Sequence, residues 1–230
     1  METARLPGKP PVEITVRRSA RAKNYSLRIS GLDGRVTLTL PKRGRLAEGL
    51  DFARSREGWI RRMLDGQPQA LHVAIGTQVP YQGRPLWIVP SDVRAPRAEG
   101  AALLVPPEPD RVGLRVQTFL KAAARRRLVA ASERYAALLG RAPGRITIRD
   151  TRSRWGSCTH AGDLMYSWRL IMAPQEVLNY VAAHEVAHLV EMNHSQDFWD
   201  LVGEICPDYR RHRDWLKRDG SGLHRYRFDG

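Results

Sequence analysis

Cysteine is nearly missing from this chain: Cys158 and Cys206 are the two among 230 residues. Two thiols cannot build the dense disulfide framework of small secreted domains. They also fall short of the four-cysteine ribbons that hold a structural zinc. Long apolar runs are lacking too. No window approaches the roughly 18 apolar residues of a membrane span. The opening stretch, METARLPGKPPVEITV, has no apolar run of signal-peptide length. These shortages lead us to expect a reduced, cytoplasmic, soluble protein with no membrane partner. Internal repeats, low-complexity segments and a helix-turn-helix pattern are also missing.

Acidic residues are the third shortage. Against 38 Lys and Arg there are 24 Asp and Glu, a net charge of +14. The imbalance is uneven. Residues 1–65 carry +8, residues 66–110 carry −1, residues 111–155 carry +10 and residues 156–230 carry −3. Basic surfaces attract nucleic acid, anionic membranes or acidic partners. They also arise as ordinary solvated faces that keep a protein soluble. Nucleic acid is therefore a candidate partner through segments 17–62 and 111–154.

The apolar share of 42% suffices for a sizeable core. Residues 1–11, rich in Pro and polar side chains, read as a disordered tail. Alternating patterns at 12–16, 25–29 and 35–40 predict a three-stranded antiparallel meander. Gly31-Leu32-Asp33-Gly34 supplies turn chemistry within it, and Pro41 stops it. Helical spacing predicts one amphipathic helix over 46–65. A connection over 66–76 leads to a hairpin about Gln82-Gly83 and a short strand at 102–105. A long helix over 112–139 follows, closed by Gly140, with Lys121 and Arg125-Arg126-Arg127 mainly off its buried stripe. Strands at 145–149 and 164–171 flank a loop over 150–160. Pro174 suits the first turn of a helix running to about Met192. Ser195 can cap another helix, and Pro207 opens a last one. The expected organisation is a tail over 1–11, a β-rich region over 12–110 and a catalytic domain over 111–230.

Chemistry concentrates in one stretch, His184-Glu185-Val186-Ala187-His188. Residues four apart on a helix lie nearly one above the other. His184 and His188 can thus converge on one metal ion, while Glu185 reaches a water on that ion rather than the ion itself. Val177 and Val181 share the histidine stripe, so this face points toward the core. Two core-facing imidazoles without a partner would be costly to bury.

The third ligand is open between His194 and a downstream carboxylate from Glu191, Asp197 or Glu204. On a continuing helix, His194 would be rotated about 120° away from the pair. It ligates only if the helix stops, and we expect the stop between Met192 and Asn193. Asn tolerates a left-handed C-cap, and Ser195 then starts a new helix. Three protein ligands leave a fourth position for water, as in catalytic zinc sites. Zinc lowers the pKa of bound water to about 7, and Glu185 can take its proton and pass it to a leaving amine. A donor for the developing oxyanion is still required, with Arg154, Tyr166, Tyr180 and Tyr209 as candidates.

Three motifs together narrow the reading: Arg154-Trp155-Gly156-Ser157-Cys158, Trp168-Arg169-Leu170 with Ala173-Pro174, and His184-Glu185-x-x-His188-x5-His194-Ser195-x-x-Phe198-Trp199. With Arg17-Arg18-Ser19 and Pro41 near the start, they make the chain from about residue 12 onward resemble the YgjP-like metallopeptidase family. That family is related to the SprT/Spartan-like and WLM-domain zinc peptidases. The resemblance implies an α+β fold. An N-terminal antiparallel β-meander plus helix would precede a small zincin-type catalytic domain with a short sheet and an HExxH active-site helix. It implies His184, His188 and His194 as zinc ligands, Glu185 as base, a peptide or protein substrate, and the Trp155-Gly156-Ser157 loop near the active-site strand. Glu191 stands where the metzincins, which share the ligand spacing, have Gly. The blander reading of the loop makes Trp155 a core plug, Gly156 a turn residue and Cys158 an ordinary buried thiol.

Overall fold

Along Val12–Ser19 and Val36–Pro41, apolar side chains alternate with polar ones, and the apolar set is the buried one. In the computed structural model of the protein, which describes residues 2–31, 34–66 and 69–229, these stretches form strands β2 and β4. They join β1 (Glu2–Leu6) and β3 (Ser26–Ile29) in a sheet of order β1-β2-β4-β3. Residues 1–11 are therefore not a disordered tail across their length. Glu2–Leu6 pairs antiparallel with β2, and Leu6 closes the core.

The meander is also corrected. β2 and β4 run parallel, Ile14 opposite Val36, and only β1–β2 and β3–β4 are antiparallel. The order has a physical reason. It puts the most apolar strand, β4, between two neighbours and leaves β3, whose residues are exposed or half-buried, at the edge. Leu32 and Asp33 of the expected turn lie outside the described residues.

One face of this sheet is covered by two helices rather than the single one expected. Arg56, at φ −107° and ψ 9°, interrupts the run between α1 (Leu46–Ser55) and α2 (Glu57–Asp65). Ala53 and Ile60 from the two helices then enter one core with Ile14, Val16, Leu38 and Leu40.

The chain divides into units Met1–Gln69 and Ala70–Gly230, so residues 70–110 group with the second unit rather than the first. Their elements are β5 (Leu71–His72), β6 (Gln78–Tyr81), β7 (Arg84–Pro90), β8 (Arg97–Glu99) and β9 (Ala102–Val105). The expected hairpin is present. Gln82 and Gly83, both at positive φ, turn β6 into β7. The reason for the shifted boundary is visible at that turn. The amides of Gln82 and Gly83 donate to the carbonyls of Ile171 and Met172. A Cβ on Gly83 would lie 2.9 Å from Cα of Pro174. The hairpin tip is thus docked on the segment that leads into the helix bearing the histidines.

The rest of the unit is built on α3 (Val112–Leu138), whose stripe of Val116, Leu120, Ala123, Ala124, Leu128 and Ala131 is buried. Arg125, Arg126 and Arg127 are exposed, as the spacing predicts. A three-stranded sheet of order β10-β12-β11 follows: β10 (Ile146–Arg149), β11 (Gly156–Cys158) and β12 (Leu164–Ser167). β11 comes from the stretch expected to be all loop. β12 stops at Ser167, short of the expected end. Trp168–Met172 instead winds into a fully buried 3-10 turn. Helices α4 (Gln175–Ala187), α5 (Gln196–Ile205) and α6 (Tyr209–Asp219) follow, and a last strand, β13 (Tyr226–Arg227), pairs with β5. The whole is a mixed α+β fold with several small sheets. No helix among the described residues is long and apolar enough to cross a membrane.

Candidate metal centre

The centre starts at the end of α4. Pro174 precedes the helix and an apolar face of Val177, Leu178, Val181 and Val186 buries it. His184 and Glu185 lie in its last turn, and His188 is its C-cap. The helix therefore ends about five residues before the expected stop at Met192–Asn193. Nor does Asn193 act as a left-handed cap, since Gln82 is the non-glycine residue at positive φ among the described residues. The amides of Leu189, Val190 and Glu191 turn back on the carbonyls of Val186 and Ala187. Asn193 works through its side chain, whose Oδ1 accepts from the Ser195 amide at 2.9 Å. Ser195 then caps α5, as predicted, accepting from the Phe198 amide.

This reversal carries His194 back over the helix end. His184, His188 and His194 form a group whose ligand atoms all lie within 4.8 Å of one another. Nε2 of His184 and Nε2 of His194 face each other at 3.2 Å. Nδ1 of His188 lies 2.8 Å from the Glu191 carbonyl. A carbonyl only accepts, so that nitrogen holds the proton and Nε2 keeps its lone pair for a cation. Glu191 thus contributes its backbone. None of Glu191, Asp197 and Glu204 joins a metal-capable group among the described residues. Phe198 is fully buried among the three imidazoles, stacked on His188 at 4.5 Å and edge-on to His184 and His194.

At His184 and His188, electrostatics favour the neutral imidazole, the form that binds metal. Burial holds His184 at about 3, with His188, His194 and Arg213 adding to the effect. Burial also lowers His188. Glu185 is 6% exposed, and burial pushes its carboxyl up to about 8 against the opposing charge of Arg154. A bound cation would draw that value back down. The donor set, three convergent nitrogens beside a buried carboxylate, fits a metal ion.

Gly156, read from sequence as a turn residue, is a strand residue of β11 packed on Glu185. A Cβ there would lie 2.5 Å from Glu185 Oε1. Ser157 points to the opposite sheet face, toward a groove of about 430 Å³ shared with Arg145, Arg149, Arg154 and Thr147. Trp155 is half-buried against the His224 ring at 5.2 Å. Burial pushes the Cys158 thiol up to about 11, so it stays protonated.

The four candidate oxyanion donors separate. Tyr166 is fully buried, with its hydroxyl 2.9 Å from Ser132 Oγ on α3, and cannot touch a substrate. Tyr180 stands edge-on to His184, with ring centroids 6.0 Å apart. It stacks on Tyr209, which stacks in turn on Trp199. Arg154 is exposed at the start of the Gly156 strand and close enough for its charge to act on Glu185. The family resemblance implied that the Gly156 loop lies near the active-site strand and carried Phe198 and Trp199 in its motif, but the contact of Gly156 with Glu185 and the packing of the two aromatic rings on the histidines were not anticipated. The signal for the two rings was the Ser195 cap, which fixes them one turn into α5 beside His194.

A model of the YgjP-like metallopeptidase domain matches residues 23–219, which include the three histidines, Glu185, Gly156 and the four candidate donors. No curated protein and no solved structure matches. On the strength of that match and of the three-histidine centre, the chain belongs to the YgjP-like metallopeptidase family.

Proposed function

We propose that the protein is a zinc peptidase in which His184, His188 and His194 hold the ion and Glu185 is the general base. The observation that carries this reading is the convergence of three imidazole nitrogens next to a carboxylate fixed by a strand backbone. Zinc bound by three neutral imidazoles supplies an acidified water and a Lewis acid for the scissile carbonyl. Glu185 accepts a proton from the attacking water at a carboxylate oxygen and delivers it to the leaving amine. Gly156 confines that carboxylate to one position, which reduces the cost of orienting it. Phe198 keeps the imidazoles packed and water away from their inner faces. Of the candidates for stabilising the oxyanion, Arg154 and Tyr180 remain near the carboxylate and the ligands.

The test is hydrolysis of a broad peptide or denatured-protein mixture, comparing wild type with Glu185→Gln. Wild type should cleave. The variant should lose at least 100-fold in kcat while keeping its full metal content. Equal turnover would reject Glu185 as base.

A second reading gives the basic surface its own partner. Arg145, Arg149 and Arg154 share the groove on the outer sheet face with hydroxyls of Thr147 and Ser157. That chemistry suits the phosphates of a nucleic acid. Binding of single- or duplex DNA should weaken steeply with salt. No binding at low salt would eliminate this reading.

A further inference from the structure

One ring beyond the histidines, a second cavity opens. It measures about 340 Å³ and is lined by Gln196, Trp199, Tyr209, Arg210, Arg213 and Asp214. Trp199 belongs to both places. Its ring is 5.7 Å from that of His184 and 5.9 Å from that of His194. Tyr209 stacks on it at 5.4 Å, nearly parallel, and extends the wall toward Tyr180. The cavity is thus a continuation of the metal centre along α5 and α6.

Its charge is set by two guanidinium groups. Arg213 lies over the Trp199 ring, with its guanidinium carbon 4.4 Å from the ring centroid. Arg210 donates to the Tyr209 hydroxyl at 3.3 Å. Neither is paired with a carboxylate among the described residues, although each lies in an exposed position. The other polar groups at the cavity are already engaged. Asp214 pairs with Lys217 at 3.2 Å, and Gln196 donates to Asp200 at 2.7 Å. A flat aromatic wall with two unpaired guanidinium groups offers forked donors at its rim, the arrangement that binds a carboxylate.

We infer that this cavity is a substrate subsite that takes a carboxylate next to the scissile bond. Two sources present that group: an Asp or Glu side chain, or the free C-terminus of the peptide. Stacking already holds Arg213 against Trp199, so little ordering cost falls on carboxylate capture. The inference rests on the peptidase reading for the word substrate, while the carboxylate chemistry stands on the cavity alone.

The experiment therefore has a binding arm and a hydrolysis arm. In the first, the Trp199 indole resonance of the full-length protein is followed by NMR. The titrants are N-acetyl-phenylalanine, its amide, and N-acetyl-glutamic acid α-amide. The carboxylate-bearing probes should shift the resonance saturably and the doubly neutral amide should not. Arg213→Gln should weaken the binding about tenfold or more, and Arg213→Lys should restore part of it. In the second arm, matched peptides differ only by Asp against Asn beside the cleaved bond, or by a free against an amidated C-terminus. The arm that loses at least tenfold in kcat/KM identifies the source. Arg213→Glu should reverse the preference toward cationic peptides, a result that misfolding cannot imitate. Binding without hydrolysis of any peptide would leave the subsite standing and remove the peptidase reading. Hydrolysis with equal rates on all matched peptides, and no shift with any probe, would overturn the subsite alone.

Discussion

Gly156 on β11 and Glu185 on α4 are in such close contact that a methyl group on the glycine would lie 2.5 Å from Oε1 and 2.6 Å from Cγ of the glutamate. Because the strand is held by Tyr166 and Met165 of β12, the glutamate is the partner that must yield. Gly156→Ala should leave the three histidines and their metal in place but turn the carboxylate away. We expect kcat to fall at least tenfold and stability to fall by about 1–3 kcal/mol, the range for overpacking. Ser157→Ala, one residue on and facing the other side of the sheet, should retain near wild-type values of both. Metal content, thermal melts and peptide hydrolysis measured on the same preparations decide it. Unchanged kcat in Gly156→Ala would show that Glu185 does not need this wall.

The contact between Nδ1 of His188 and the Glu191 carbonyl ties the ligand tautomer to the chain reversal that also delivers His194. His194→Ala removes one of three nitrogens. It should cut metal affinity by well over the 10–100-fold typical of a lost outer partner. Chelator competition reads this directly. Glu204→Gln, aimed at the carboxylate alternative, should leave affinity unchanged. The reverse pattern would move the third ligand to Glu204.

How much of this was legible in the sequence depends on the range of the interaction. Helical periodicity is local, so the extent of α3 and its exposed Arg125, Arg126 and Arg127 could be read before the structure. The Gln82-Gly83 turn and the Ser195 cap are equally local, and both are where they were expected. Strand order is not local. Nothing in the spacing of 12–16 and 35–40 says whether they pair parallel, and that depends on which strand is central. The helix end at His188 was missed because Asn193 looked like a cap, whereas the turn is made by backbone bonds to Val186 and Ala187. The contact of Gly156 with Glu185 was missed for a similar reason, although the family resemblance put its loop near the site. A glycine required by a partner 29 residues away looks the same in sequence as a glycine required by its own turn.

Tyr166 supplies a prediction of the opposite kind. Its hydroxyl meets Ser132 Oγ in the core, 2.9 Å away, and burial pushes its pKa up. Tyr166→Phe leaves Ser132 without that partner, which should cost about 1–3 kcal/mol. Activity at a temperature well below the melting point should stay within about twofold of wild type. A 100-fold loss of kcat with an unchanged melting temperature would instead restore Tyr166 as the oxyanion donor.

Acid should weaken the fold through His224. This residue is 5% exposed, packed on the Trp155 ring, and burial holds it at about 4, with Arg169 as the main charge acting in the same direction and Asp150 opposing. In the unfolded chain it titrates near its ordinary value of about 6.5. Between those two values the unfolded state binds a proton that the folded state does not, so the contribution of His224 is complete above about pH 6.5 and declines as pH falls toward 4. Asp150 acts in a lower window. Burial raises it, the bonds and charge of Arg169 lower it further, and the net effect is downward. Its stabilisation is therefore kept until pH falls below the ordinary aspartate range. His224→Phe keeps the ring contact and removes the titration. The variant's melting temperature should depend less on pH between 6.5 and 4.5 than that of wild type. The two profiles should run parallel above pH 7. Parallel profiles across the whole range would show that His224 is not the group responsible.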